Sequence, residues 1–292
     1  MARRLTAALC PHRRAPRRCT SLLYLARPGE GKRSGRNIGE PGHGNWATDL
    51  EAPHLPFDVE MRDWRTADDP PSLASDGFQL CRSRPSCTAD GELAGDFYAG
   101  VQALVAEAVG ADRVVVFDHT LRVSGVSCLN SLDGQSAAGA VIRVHGDYTR
   151  TSGPVRLEML VSDGILELPE KPRRFAFVNT WQSTDMCHPV LQHPLALCRP
   201  RSVDYEAQTW PYFMHFPHRV GQNLACEHAL AHEWGYYPRL KSDEAIVFTT
   251  FDSAASVERG VGVVHTAFED PWIDGEGVPR RSVECRTVAI WD

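Results

Sequence analysis

Two residues with metal-binding side chains stand two positions apart in the stretch VIRVHGDYT at 141–149. They are His145 and Asp147. In an extended segment, side chains two apart point to the same face, so this imidazole and this carboxylate can reach one metal ion. The pair alone is a weak signal, because a histidine and an aspartate at a strand end often bond only to backbone. A metal site therefore needs a third ligand from elsewhere in the chain.

The best candidate for the third ligand is His265, which ends the apolar stretch GVGVVH at 260–265. Val261, Val263 and His265 alternate as in a strand, so the imidazole can emerge from it into a pocket. Two histidines and one carboxylate leave open coordination positions, which suits iron(II) oxygen chemistry. His232 is an alternative third ligand.

An arginine and a hydroxyl follow fifteen residues after His265, at Arg280 and Ser282. A guanidinium binds a carboxylate in a fork, so this pair predicts a clamp for a distal carboxylate. Arg281 is the inward residue instead if the strand register shifts by one. The sequence also places Asn179 and Trp181 on one face of a strand-like stretch at 173–181, and we predict that they contact substrate.

Composition and charge indicate an ordinary globular protein, with 42% hydrophobic and 23% charged residues among 292. The net charge of −6 argues against nucleic acid as a binding partner of the globular part of the chain. No apolar run reaches transmembrane length. The nine cysteines contain no CxxC pair, so we expect a reducing cytoplasm rather than a disulfide framework. Residues 1–20, with six arginines and no acid, are expected to be a disordered basic extension.

Several strands along one chain with few helices predict a mainly β protein with flanking helices (α+β), a double-stranded β-helix or jelly roll. The expected strands lie at 57–61 (an edge strand), 113–118, 141–149, 173–181, 244–251, 260–265 and 281–290. A helix is expected over 90–110 with Gly110 as its C-cap, another within 152–168, and a loop over 188–200. Residues 21–292 are predicted to form one domain. The 118-residue gap between Asp147 and His265 indicates an insertion at about 185–240.

The chain resembles the gibberellin-desaturase-like hydroxylase/desaturase family, which is of the iron(II)- and 2-oxoglutarate-dependent oxygenase type. The resemblance rests on RVVVFDHTLR at 113–122, VHGDYT at 144–149, PLALC at 194–198, DEAIVF at 243–248, FDS at 251–253 and HTAFEDP at 265–271. It implies that His145, Asp147 and His265 bind iron(II) and that Arg280 and Ser282 hold 2-oxoglutarate. It also implies that O2 oxidises a small organic secondary metabolite, by hydroxylation or desaturation. We expect no membrane partner and leave a homodimer open.

Two other functions remain open from the sequence. In EHALAHE at 227–233, His228 and His232 stand four apart, a spacing that can bind zinc on a helix and would suit a hydrolase. A solvated helix with a packed His232 is the simpler interpretation. The chain could also be a non-catalytic jelly-roll partner protein in a biosynthetic pathway.

Overall fold

Fifteen strands in two sheets dominate the computed structural model, which describes residues 18–87, 93–124, 139–168, 172–256, 258, 260–273 and 278–292. Four short helices accompany them: α1 Leu73–Asp76, α2 Phe97–Val109, α3 Ser152–Ser162 and α4 Tyr205–Gln208. Among the described residues, no helix combines the length and apolar character that crossing a bilayer requires. The mainly β architecture agrees with the fold predicted from the sequence.

The larger sheet has ten strands in the spatial order β1-β4-β12-β9-β14-β7-β11-β10-β2-β3. Their bounds are β1 Cys19–Leu25, β2 Arg33–Asn37, β3 Leu50–Glu51, β4 His54–Asp63, β7 His145–Gly146, β9 Leu195–Cys198, β10 Thr209–His215, β11 Val220–Cys226, β12 Trp234–Tyr236 and β14 His265–Ala267. The two central strands β7 and β14 carry the predicted histidine ligands. The middle of this sheet therefore holds the candidate site.

The smaller sheet has five strands in the order β5-β13-β8-β15-β6. Their bounds are β5 Phe78–Arg82, β6 Arg113–Val123, β8 Arg174–Ser183, β13 Glu244–Asp252 and β15 Arg281–Trp291. Helix α2 covers its outer face, where Val101 and Val105 pack with Val178 and Val283. The central strands β8, β13 and β15 are buried along most of their length, as expected for strands covered on both faces.

The inner face of the smaller sheet packs against the larger sheet. Trp181, Ile246 and Phe248 from the smaller sheet share one buried cluster with Leu195 and Leu197 of β9. Burial of this apolar surface holds the two sheets together at about 25 cal/mol per Å² removed from water. The polar residues of the candidate site occupy the part of this interface that is open to a cavity.

Most predicted elements are present. Helix α2 ends at Gly110, whose backbone lies in the left-handed region (φ 65°) and whose N–H donates to the Ala106 carbonyl. The helix expected within 152–168 is α3, and the strands expected at 113–118, 173–181, 244–251 and 281–290 are β6, β8, β13 and β15.

Several local predictions were wrong, and the strand expected at 141–149 is reduced to β7, His145–Gly146. The expected edge strand at 57–61 belongs to β4, which lies inside the sheet between β1 and β12. The strand expected at 260–265 begins only at His265, and the loop expected at 188–200 contains β9. The stretch 227–233, expected to be helical, is a turn before β12. For β4 and β9, pairing with strands that are distant in the sequence decided the structure, which local periodicity does not report.

The segment predicted as an insertion, residues 185–240, contains β9, β10, β11 and β12. These strands are paired within the ten-stranded sheet. That the segment is an insertion, and that residues 21–292 form a single domain, stay predictions. The basic extension at 1–20 lies almost wholly outside the described residues.

Candidate metal centre

The register of the larger sheet brings the three predicted ligands together. In the antiparallel pairing of β7 with β14, His145 stands directly opposite His265. Asp147 follows β7 immediately, and its Oδ1 lies 3.7 Å from Nε2 of His145 and 3.7 Å from Nε2 of His265. One ligand atom from each residue lies within 4.8 Å of the others. These distances fit three side chains that converge on a single ion.

Hydrogen bonds fix both imidazoles with one nitrogen aimed at the centre. Nδ1 of His145 donates to the Arg143 carbonyl at 2.8 Å, and Nδ1 of His265 donates to the Val263 carbonyl at 3.0 Å. A carbonyl only accepts, so Nδ1 carries the proton and Nε2 keeps a free lone pair. Burial, the neighbouring His265 and the Arg143 charge hold the pKa of His145 well below its ordinary value. His145 is therefore neutral, the form that binds metal.

Asn179 holds the third ligand in place. Its Nδ2 donates to Oδ2 of Asp147 at 2.9 Å and to Oε1 of Glu284 at 2.8 Å. The amide thus occupies one carboxylate oxygen of Asp147, while Oδ1 faces the histidines. Metal-binding carboxylates are commonly oriented by such a hydrogen bond. Asn179 was predicted to contact substrate, but its amide is committed to these two carboxylates.

Glu284 is a further buried carboxylate beside the metal centre. Burial raises the pKa of Glu284, but the charges of Arg286 and Arg122 more than offset it, so the pKa lies below the ordinary value. The guanidinium nitrogens of Arg286 and Arg122 lie 3.6 and 3.8 Å from its carboxylate oxygens. Glu284 is therefore ionised. Glu284 stands two residues after Ser282 in β15, so the two side chains share a face, but the sequence does not indicate the link of Glu284 to Asp147.

Arg280 and Ser282 offer the unsatisfied polar atoms that a carboxylate would need. Nη1 of Arg280 donates to the His193 carbonyl at 2.5 Å, whereas its Nε is buried without a partner, as is Oγ of Ser282. Burial and the Arg122 charge lower the pKa of Arg280 to about 9, which leaves it charged at neutral pH. Arg281 is exposed and Arg280 is buried, so the strand register is the one that points Arg280 inward.

A cavity of about 750 Å³ adjoins the candidate metal centre. The three predicted ligands, Trp181 and Arg280 all line it. Trp181 is only 3% exposed, and the Arg280 guanidinium lies 5.6 Å from the centre of its ring. A cavity of this size accommodates a small organic molecule next to the metal centre.

The rival metal site at His228 and His232 does not form. Both ring nitrogens of His232 are occupied, Nδ1 by the Tyr24 hydroxyl at 2.9 Å and Nε2 by Oε1 of Gln208 at 3.0 Å. His228 stacks on Phe57 with ring centres 4.3 Å apart. Within the described ranges, the grouping of His145, Asp147 and His265 is the one that could hold a metal, so His232 does not replace His265. The packed His232 of the simpler interpretation is confirmed, without the helix.

Two histidines and one carboxylate inside a jelly roll, with open sides facing a cavity, define the class of non-haem metal-dependent oxidoreductases. The match to known proteins agrees with this class. The family model described as "Oxidoreductase/YMDC permease-like domain" matches residues 22–290, and the chain belongs to that family.

The chain is also similar to fungal enzymes with described activities. It is 25% identical to Fe(II)/2-oxoglutarate-dependent dioxygenase nvfI of Aspergillus novofumigatus, over 93% of this chain and 96% of that protein. It is 26% identical to alpha-ketoglutarate-dependent dioxygenase phiK of a fungal species, over 92% and 95% of the two chains. Hydroxylase/desaturase CTB9 of Cercospora beticola is 23% identical, over 76% and 72%. These relatives confirm the family resemblance predicted from the sequence.

Among solved structures, the iron and alpha-ketoglutarate-dependent endoperoxidase NvfI superposes with a TM-score of 0.74 at 22% identity, over 94% of this chain and 97% of that one. At this identity the likeness establishes the fold. It confirms the predicted jelly roll.

Proposed function

We propose that this protein is a non-haem iron(II), 2-oxoglutarate-dependent oxygenase that hydroxylates or desaturates a small organic secondary metabolite. The observation that carries the proposal is the convergence of two free Nε2 lone pairs and one carboxylate oxygen at the cavity. His145, Asp147 and His265 would bind the iron on one face, leaving the cavity side open. The names of the relatives support the same cofactors.

The chain's own residues bind and orient the reactants. Arg280 and Ser282 would hold the distal carboxylate of 2-oxoglutarate, which would satisfy their unpartnered Nε and Oγ atoms. Trp181 would form part of the wall against which substrate lies, while Asn179 keeps the Asp147 carboxylate turned to the metal. Iron(II) and 2-oxoglutarate, when bound, supply the activation of O2 and the removal of hydrogen from a C–H bond. Substrate placement, on the scale of about an ångström, decides between hydroxylation and desaturation.

The substitution His145→Ala tests this function, with His228→Ala as the matched control. His145→Ala removes one of three ligands, so we expect loss of the visible absorption band formed with iron(II) and 2-oxoglutarate under anaerobic conditions. We also expect loss of succinate formation in air. His228→Ala removes a histidine that stacks on Phe57 and should leave both signals intact. Retention of both signals in His145→Ala would refute the proposal.

The oligomeric state of the protein and its location in the cell are further parts of this proposal. We propose that it works in the cytoplasm, which is supported by the lack of a disulfide bond among the seven cysteines in the described part of the chain. A homodimer is the second prediction, and light scattering of the purified protein measures it directly. No observation favours the hydrolase or the non-catalytic partner.

A further inference from the structure

The cavity in front of the metal centre is cationic although the chain as a whole is acidic. Its described lining carries seven arginines against three carboxylates, whereas the whole chain has a net charge of −6. Iron(II) and the 2-oxoglutarate dianion would cancel each other, so the excess positive charge of the lining would remain. A cleft lined by one sign of charge concentrates ligands of the opposite sign.

The excess charge is concentrated on arginines that have no described acidic partner. The carboxylates of the lining are used elsewhere: Asp118 pairs with Arg286 at 2.9 Å, and Glu284 lies between Arg286 and Arg122. Asp147 faces the histidines. Within the described residues, Arg156 and Arg219 form no ion pair with any of these groups.

Arg156 and Arg219 are nevertheless held in defined positions by aromatic rings. The Arg156 guanidinium, from helix α3, lies 5.1 Å from the centre of the Phe117 ring. The Arg219 guanidinium, from the turn between β10 and β11, lies 4.3 Å from the centre of the Phe216 ring. Stacking on the ring leaves the N–H edge of a guanidinium available to a ligand.

The two arginines line the same cavity and lie within electrostatic reach of each other. Partial burial lowers the pKa of Arg219, and the positive charge of Arg156 lowers it further, while the Asp118 charge acts in the opposite direction. Two like charges that share a cavity, and that form no ion pair within the described residues, cost free energy that a bound anion would recover. Both residues line the same cavity as the metal centre, on its outer part, where Arg219 is exposed.

The same part of the cavity carries exposed apolar side chains. Ile142, Val155 and Val220 line it and are 47%, 53% and 47% exposed. Large aliphatic side chains at the mouth of a cavity favour a ligand with an apolar body. The cavity therefore combines an apolar surface with a pair of unpaired guanidinium groups.

We infer that the substrate is an organic carboxylate with an apolar skeleton, and that Arg156 and Arg219 bind its carboxylate. This inference rests on the proposed function for the assignment of the cavity to substrate. The anion would be distinct from 2-oxoglutarate, whose clamp at Arg280 lies at the inner, buried part of the same cavity. The carboxylate would hold the molecule at the outer end, so that its apolar part extends toward the metal centre.

A matched pair of probes tests the inference. Biphenyl-4-carboxylate and biphenyl-4-carboxamide have nearly the same size and differ by one charge. We would measure their dissociation constants by calorimetry with the full-length protein, anaerobically, with saturating iron(II) and 2-oxoglutarate and again without either. The variant Arg156→Gln/Arg219→Gln removes the pair of charges. Arg173→Gln/Arg281→Gln makes the same change of net charge at exposed arginines outside the cavity.

The wild-type protein and the Arg173/Arg281 variant should bind the carboxylate about tenfold more tightly than the amide, the size of one charge-assisted hydrogen bond. The Arg156/Arg219 variant should bind both probes alike, with affinity for the amide unchanged, and thermal unfolding should show that it folds. The inference is overturned if the wild-type protein binds the carboxylate no more tightly than the amide, or does not bind it at all. It is also overturned if the Arg156/Arg219 variant still binds the carboxylate more tightly than the amide. The visible band with iron(II) and 2-oxoglutarate reports separately on the proposed function, since the preference is also measured without them.

Discussion

The substitution Asn179→Ala should weaken iron binding without unfolding the protein. Asn179 is 1% exposed and donates to Asp147 and Glu284 at 2.9 and 2.8 Å. Hydrogen bonds to charged groups contribute about 1.5–3 kcal/mol each. Only one of these two bonds reaches a metal ligand, and Glu284 keeps two arginine neighbours when its own bond is lost.

The expected loss of iron affinity is therefore that of one orienting hydrogen bond. Removal of such a bond typically weakens metal binding about 10- to 100-fold, which corresponds to about 1.4–2.8 kcal/mol. The Asp147 side chain is 17% exposed, so water from the cavity can replace part of the lost bond and keep the effect within this range. The metal-free protein should lose about 1–3 kcal/mol of stability, the cost of leaving a buried polar group unsatisfied.

Anaerobic titration with iron(II), followed by calorimetry, measures this effect. Thr180→Val is the matched control, because Thr180 is the next residue in β8, is 1% exposed and has no hydrogen-bond partner for its hydroxyl. It should bind iron like the wild type. If Asn179→Ala binds iron within twofold of wild type, or if Thr180→Val weakens binding equally, Asn179 does not orient the ligand.

Two other predictions concern the co-substrate clamp and acid stability. Arg280→Gln should raise the KM for 2-oxoglutarate about 10- to 100-fold with iron affinity unchanged, because it removes the charged partner of a carboxylate. The substitution Arg281→Gln, at an exposed arginine, should leave this KM unchanged. The rate of succinate formation measures the KM of both variants. An unchanged KM in Arg280→Gln would place the clamp elsewhere. Burial lowers the pKa of His232 to about 4, below the roughly 6.5 of an unfolded histidine. Between these two pKa values the unfolded state binds a proton at His232 and the folded state does not. The free energy of unfolding should therefore fall by at most about 3 kcal/mol as the pH drops from about 6.5 to 4. Denaturant unfolding across this pH range should show a smaller fall in His232→Gln, and an equal fall would show that other groups cause it.

The ligand types could be predicted from the sequence because they depend on local spacing. A histidine and an aspartate two apart share a face whenever the chain is extended. Only His145 and Gly146 are paired as a strand, and the Asp147 carboxylate nevertheless lies 3.7 Å from Nε2 of both histidines. The inward position of Arg280 depends on one choice of register, which the sequence left open. Burial in the folded chain settles it, because Arg280 is 3% exposed and Arg281 is at the surface.

The parts that could not be predicted depend on which strands become neighbours. The pairing that places His145 opposite His265 joins segments 120 residues apart, and nothing in either segment specifies the other. The two histidines at 228 and 232 have the spacing of a helical metal site. They instead pack against Tyr24 and Phe57, which β1 and β4 bring from the start of the chain. Long-range contacts of this kind override local periodicity.

The inner face of β15 connects the separate parts of the proposed site. Ser282, Glu284 and Arg286 alternate along it, opposite Ser183, Trp181 and Asn179 of β8. One end of this face would hold the co-substrate, and its middle supports Asp147 through Asn179. The other end pairs with Asp118, which would leave Arg156 and Arg219 available to the proposed anion. A shift of one residue in this register would turn all three polar side chains toward helix α2 and bury them among valines. The pairing of β15 with β8 therefore positions the support of Asp147, and under the proposed function it would also set co-substrate binding and the charge offered to substrate.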